Sequence, residues 1–141
     1  MPNRPKNPKT GEYGRHEQRL INEIHELLVT HYGGVLSEEE LDKALDHLQN
    51  AIALARASHA GQLRKSGEPY FIHPIRVAHL AARHWMDFSS IMAAILHDVV
   101  EDTPVTIKEI QDQFGSDVAL LVDGLTKAEN PDLSREDLKA E

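Results

Sequence analysis

The 141-residue chain contains no cysteine. That excludes a disulfide framework and any thiolate metal site, and it fits a reducing compartment. Aromatic residues make up only 5%, too few for the stacking platforms with which single-strand binders hold bases. Positive charge is in deficit: 15 Lys and Arg stand against 23 Asp and Glu, for a formal net charge of -8. The field of such a chain repels polyanions, so no general binding to nucleic acid or to a membrane surface is expected. An anionic ligand would need a local basic patch or a bound cation. No apolar run is long enough to span a bilayer, and the opening MPNRPKNPKTGEYG lacks the apolar stretch of a signal peptide. A cytoplasmic protein is expected. No segment alternates apolar and polar residues over a useful length, and there is no repeat.

What is present is helical periodicity with clear punctuation. Residues 1–14 are read as a flexible tail. Leu20, Ile21, Ile24, Leu27 and Leu28 then follow one-sided helical spacing, and Gly33 and Gly34 end that helix. Ser37 and Glu40 form a capping box for a second helix with an inward stripe of Leu41, Leu45, Leu48, Ile52 and Ala55, closed by Gly61. Gly67 and Pro69 make QLRKSGEPYF a loop. The next helix starts at His73-Pro74, with proline in the first turn and Val77, Leu80 and Ala81 facing inward. Ser89 or Ser90 caps a fourth helix, IMAAILHDVVED, whose nearly all-round apolarity marks it as the buried central element. Thr103-Pro104 ends it. Thr106 and Glu109 box the following helix, Gly115 stops it, and Ser116 opens another that Asn130-Pro131 breaks. Ser134 and Asp137 cap a last helix from Arg135, which the sequence leaves at about two turns. An all-α domain is expected over residues 15–141, as part of something longer.

Chemistry concentrates on the central helix. His97-Asp98 is followed four positions on by Glu101-Asp102, so His97 shares a face with Glu101 and Asp98 with Asp102. Burying charge among Ile91, Ala93, Ala94, Ile95, Leu96, Val99 and Val100 costs several kcal/mol per group unless it is paired or binds metal. An imidazole beside a carboxylate suits Mn, Fe, Co or Zn better than Ca or Mg. A third ligand must come from another element, and His73, just after the basic loop, is the best placed. A buried His–Asp hydrogen bond of purely structural purpose is the competing account of the same pair.

RKSGEPYFIHP at 64–74 and LHDVVEDT at 96–103, with HAGQ at 59–62, FG at 114–115 and VDGLTK at 122–127, resemble the hydrolase domain of RelA/SpoT homologues. The resemblance runs from about residue 40 to the C-terminus. It implies a helical HD-superfamily domain that holds one manganese ion and removes pyrophosphate from the 3′ position of ppGpp or pppGpp, leaving GDP or GTP. It further implies that His73, His97 and Asp98 are metal ligands and that Glu101 and Asp102 position and activate water. Arg64 would face the phosphates, with Lys65 and Ser66 helping to hold the nucleotide. An arginine fork suits a diphosphate better than the point charge of lysine, and so supplies the local cation that an acidic chain needs.

The resemblance also implies a last Asp ligand on a later helix, followed by an Asn-containing nucleotide contact, both beyond Glu141. Three protein ligands and a fragment weakly active or inactive alone are therefore expected. The parent is either a small hydrolase or a bifunctional synthetase/hydrolase. An HD phosphohydrolase acting on another nucleotide, or a non-catalytic regulatory module, are the other readings. His59 is read as a structural hydrogen bond, and His79 and His84 as surface or half-buried. His16, His25, His31 and His47 are read as surface. Asp123, Thr126 and Lys127 are given packing and capping roles.

Overall fold

The computed structural model describes residues 14–129. Residues 1–13 of the expected tail, the break at Asn130-Pro131 and the helix from Arg135 lie outside these residues. Among the described residues the order is α1 (Arg15–Tyr32), α2 (Glu38–Ser58), α3 (Ile72–Arg83), α4 (Phe88–Asp102), α5 (Ile107–Phe114) and α6 (Ser116–Glu129). The one β-type pairing among them is an isolated bridge between Leu63 and Pro69, so the all-α expectation holds. No helix among the described residues is long and apolar enough to cross a membrane.

The centre is α4. Every residue from Ile91 to Val99 is buried, and the helix is packed by α6, α3 and α2, while α1 covers α3. Apolar spacing drives this arrangement. Leu20, Ile21, Ile24 and Leu28 of α1 and Leu48, Ala51, Ile52 and Ala55 of α2 all enter one core. The expected stripes are mostly reproduced, although Leu27, Leu45 and Val77 pack only at the margin and Leu41 stays half-buried outside the core. Both capping boxes form: Ser37 Oγ accepts from Glu40 N at 3.0 Å, and Thr106 Oγ1 accepts from Glu109 N at 3.2 Å.

Two helix boundaries and one inward-facing residue need correction. First, α2 closes on His59, with Gly61 following at φ +80°. Second, Asp87 rather than Ser89 or Ser90 caps α4, its side chain accepting from Ser90 N at 2.8 Å. An aspartate one residue ahead of the first helical turn reaches that amide, whereas Ser89 and Ser90 are already helical. Third, Leu80 is 52% exposed, and Ile75, Ala78, Ala81 and Ala82 carry the inward face of α3.

The α3–α4 corner is a Schellman-type turn. Trp85 N–H donates to Ala82 C=O and Met86 N–H to Ala81 C=O, each at 3.1 Å. The left-handed position that glycine usually takes is held by Trp85, at φ 59°. Its indole stacks on the His31 ring of α1 at 3.7 Å. His31, expected at the surface, is thus half-buried under that indole.

Candidate metal centre

The site lies at the C-terminal end of α4, where the helix passes from core to surface. His97 and Asp98 are 6% and 4% exposed, and one turn later Glu101 and Asp102 are exposed. Three acidic residues therefore end a helix with no basic residue in its last turn. They meet the negative end of the helix dipole, which disfavours anions there. A cation in this place would relieve an arrangement that folding alone does not favour.

Asp98 is the hub. His97 Nε2 lies 3.1 Å from its Oδ1, and His73 Nε2, from the first turn of α3, lies 3.9 Å from its Oδ2. Tyr70 donates its hydroxyl to the same Oδ2 at 3.0 Å. His97 Nδ1 is 3.2 Å from the Ala94 carbonyl. A carbonyl only accepts, so Nδ1 carries a proton and Nε2 is the nitrogen an ion would take in place of its proton; without an ion, a proton on Nε2 bonds it to Asp98.

Burial opposes ionisation of Asp98, but the hydrogen bond and charge of His97, the Tyr70 hydroxyl and His73 outweigh it and hold the carboxyl below its ordinary value. Burial pushes the His73 imidazole below its ordinary value, against the pull of Asp98, with the charges of Arg64, His97 and Arg76 acting in the same direction as burial. A carboxylate and a neutral imidazole are the forms that bind metal. Burial first, then the charge and hydrogen bond of Asp98 and the charges of Asp102 and Glu101, push the Tyr70 phenol far up, so Tyr70 acts as a donor. Burial, Asp98 and Glu101 raise the Asp102 carboxyl, with His59 and His97 working the other way.

The donor set fits a borderline divalent cation in kind. Two donors about 2.1 Å from a shared ion stand roughly 3 Å apart. The His97–Asp98 gap matches this, and the His73–Asp98 gap is about an ångström wide of it. Among the described residues, no three His, Asp or Glu side chains are drawn up tightly enough to close on an ion as they stand.

The basic loop flanks this centre. Gly67 N–H donates to the Arg64 carbonyl at 2.8 Å, Arg64 N–H to the Glu68 carbonyl at 2.9 Å and Tyr70 N–H to the Gln62 carbonyl at 2.8 Å. Gly67 takes φ +92°, as a tight reversal of this kind requires. Arg64, Lys65 and Ser66 are exposed on the turn, and with Gln62, Leu63, Glu68 and Tyr70 they line a surface hollow. Glu68 receives Arg76 through both nitrogens at 2.6 and 3.3 Å, and Arg64 leans on it at 3.7 Å. The Glu68 carboxyl is held below its ordinary value, chiefly by the Arg76 hydrogen bond.

Residue-by-residue reading of the sequence missed Tyr70, the Glu68–Arg76 pair and the His59–Tyr70 contact. Tyr70 lies within RKSGEPYFIHP, but nothing local signals that its hydroxyl reaches a carboxylate 28 residues away. His59 does form the expected structural bond, Nδ1 to Gln62 Oε1 at 2.8 Å. Thr126 is buried and bonds back to the Val122 carbonyl at 2.9 Å, and Asp123 pairs with Lys127 at 3.4 Å. His79 is half-buried against Glu23 at 2.8 Å.

The HD domain family model matches residues 51–140, and the chain belongs to that family. Its similar proteins are named as (p)ppGpp hydrolases, a bifunctional synthase/hydrolase and a GTP pyrophosphokinase. The chain is 47% identical over 102 residues to the guanosine-3′,5′-bis(diphosphate) 3′-pyrophosphohydrolase of Aquifex aeolicus, covering 67% of this chain and 15% of that protein. It is 41% identical over 108 residues to the bifunctional (p)ppGpp synthase/hydrolase SpoT of Escherichia coli, covering 77% of this chain and 14% of that protein. A GTP pyrophosphokinase of Myxococcus xanthus is 43% identical over 110 residues, covering 75% and 14%. The chain thus spans about a seventh of these relatives. The family brings with it a divalent metal, which the donor chemistry at Asp98 accommodates.

Proposed function

We propose that this chain carries the site for manganese-dependent hydrolysis of the 3′-diphosphate of ppGpp and pppGpp, within a longer hydrolase or bifunctional synthetase/hydrolase. One observation carries the proposal: His73 and His97, from separate helices, both turn Nε2 towards the Asp98 carboxylate. Names borne by the relatives support the substrate and the bifunctional setting. The absence of cysteine and the nucleotide substrate support a cytoplasmic setting.

In this reading His73, His97 and Asp98 hold the ion, which supplies Lewis acidity to the phosphoryl oxygens and to water. Glu101 and Asp102 orient the attacking water, and Asp102, with its raised affinity for a proton, accepts one from it. Arg64 neutralises the diphosphate, with Lys65 and Ser66 on the same turn. The water oxygen bonds to the phosphorus joined to ribose O3′, the bond from that phosphorus to O3′ breaks, and O3′ leaves with a proton. GDP or GTP and pyrophosphate result.

The test is manganese titration by electron paramagnetic resonance, followed by incubation of the loaded chain with ppGpp and with a panel of other nucleotides. Saturable binding that His97→Ala abolishes, with GDP released above background, is expected. Turnover is expected to be weak if residues beyond Glu141 complete the site. A chain that binds no manganese, or whose binding is indifferent to His97→Ala, defeats the reading in favour of a regulatory module. Preference for another nucleotide would reassign the substrate.

A further inference from the structure

Trp85 stands where the backbone favours glycine. Its φ of 59° is left-handed, a conformation that is strained for a residue with a side chain. Burial does not offset the strain, for the indole is 69% exposed and the neighbouring Met86 47%. The turn alone does not explain an aromatic residue here.

A groove leads to this corner. Between α1 and α3 lies a hollow lined by Glu23, Glu26, Leu27, Thr30, His79 and Arg83, and the Glu23–His79 bond crosses it at 2.8 Å. His31 follows Leu27 by one turn on the same face of α1 and stacks under the Trp85 indole. Towards the start of α1, Arg19 reaches Glu23 at 3.9 Å and lines a second hollow with Gly14 and Ile72. One stripe of α1 thus runs from Gly14, past two carboxylates, to an exposed aromatic platform.

The sequence before Gly14 has matching chemistry. Pro2, Pro5 and Pro8 recur every third residue, and Arg4, Lys6 and Lys9 stand among them with no acid before Glu12. Three residues per turn is the repeat of a polyproline II helix, which puts those prolines on one edge, and such edges dock on exposed aromatic rings. The whole chain carries -8 with these three cations counted in, so its field attracts a basic segment. The lengths also agree. At about 3.1 Å per residue, Lys9 lies about 16 Å, Pro8 about 19 Å and Pro5 about 28 Å back from Gly14. At about 1.5 Å per residue along α1, Glu26 lies about 18 Å, Leu27 about 20 Å and His31 about 26 Å forward from it.

We propose that residues 2–9 fold back along the α1–α3 groove of their own chain. Lys9 lies against Glu26, Pro8 over Leu27, and Pro5 on the platform of Trp85 and His31. The segment clamps α1 to α3 and shields the indole. This surface is remote from the metal centre, because α4 begins beside the corner at Phe88 and reaches the site only at its far end.

The test uses the full chain with a nitroxide on Asn3→Cys, a single labelling site because the chain has no cysteine. Nuclear magnetic resonance then reads the Trp85 indole N–H and the Thr30 and Ile72 amides. Loss of the Trp85 and Thr30 signals with Ile72 spared is expected, since a docked Asn3 lies far from Gly14. Trp85→Gly suits the left-handed turn, so the corner still folds, and it should restore the Thr30 signal. Lys9→Glu should do the same. Broadening centred on Ile72 would mean an undocked segment and overturns the inference. So does a Thr30 signal still lost in Trp85→Gly. Equal broadening of an unlabelled, isotope-enriched chain mixed with labelled chain would assign the groove to a second copy, which also overturns it. None of these outcomes depends on turnover of ppGpp.

Discussion

At the scale of single residues, Asp98 gathers everything the site needs. Its two oxygens serve two imidazoles and a phenol, so changes to the partners act through it. Tyr70→Phe removes a donor that orients the carboxylate and should weaken manganese binding about 10-fold, the low end for an outer partner of a metal ligand. Paramagnetic resonance titration measures this, and unchanged affinity would show the hydroxyl to be idle. Asp102 presents the opposite case. Its folded-state affinity for a proton is raised, so the carboxyl favours folding when protonated, and its anion works against folding once the pH exceeds the carboxylate range. In metal-free solution at pH 7, Asp102→Asn should stabilise the chain by about 0.3–1 kcal/mol, as expected for removing an anion from a helix C-terminus, while slowing hydrolysis. Urea denaturation in chelator checks the first part, and a destabilised variant would refute it. His97 and Asp98 drew attention in the sequence because titratable groups on an apolar helix demand an explanation, and His73 did so by its place just after the basic loop. The role of Tyr70 was not legible, since it comes from a contact between distant elements.

At the scale of elements, α4 is positioned by a cap that the sequence left ambiguous. Asp87, Ser89 and Ser90 are all capping residue types, and the choice falls to whichever stands outside the first turn. Asp87→Ala should cost about 1 kcal/mol. Its hydrogen bonds to Ser90 hold the Asp87 carboxyl below its ordinary value. The contribution is therefore complete above the unfolded aspartate value and is lost as the pH falls through the lowered folded one. Asp87→Asn should cap without this acid dependence, and thermal melts across pH separate the two variants. The loop between α2 and α3 depends on Gly67 at φ +92°. Gly67→Ala meets open space, so its cost is one of backbone conformation, about 1–2 kcal/mol. Displacement of the Arg64 turn should raise KM for the nucleotide more than it changes metal affinity, and a melt paired with kinetics distinguishes the two effects. The order of the six described helices was readable from spacing and caps. Leu80 was not, because α3 turns its small residues inward and leaves that leucine outside.

At the scale of the whole molecule, metal and fold are linked. An ion that binds only the folded chain stabilises it by about 2.7 kcal/mol at a hundredfold excess over Kd, so manganese should raise Tm and His97→Ala should remove most of the rise. Burial lowers the proton affinity of His73 on folding. Its share of stability is thus present above the ordinary histidine value and lost as the pH falls through the lowered folded value. The manganese-dependent rise in Tm should therefore persist to more acidic pH than a surface imidazole would allow, then collapse. Melts from pH 7 to pH 5 would show this, and collapse already at the ordinary histidine value would contradict it.

The α3–α4 corner equips the molecule for such measurements. Trp85 is the sole indole in the chain, and it stacks on a ring from α1. Its emission is a native optical gauge of whether the first helix remains docked while the ion comes and goes.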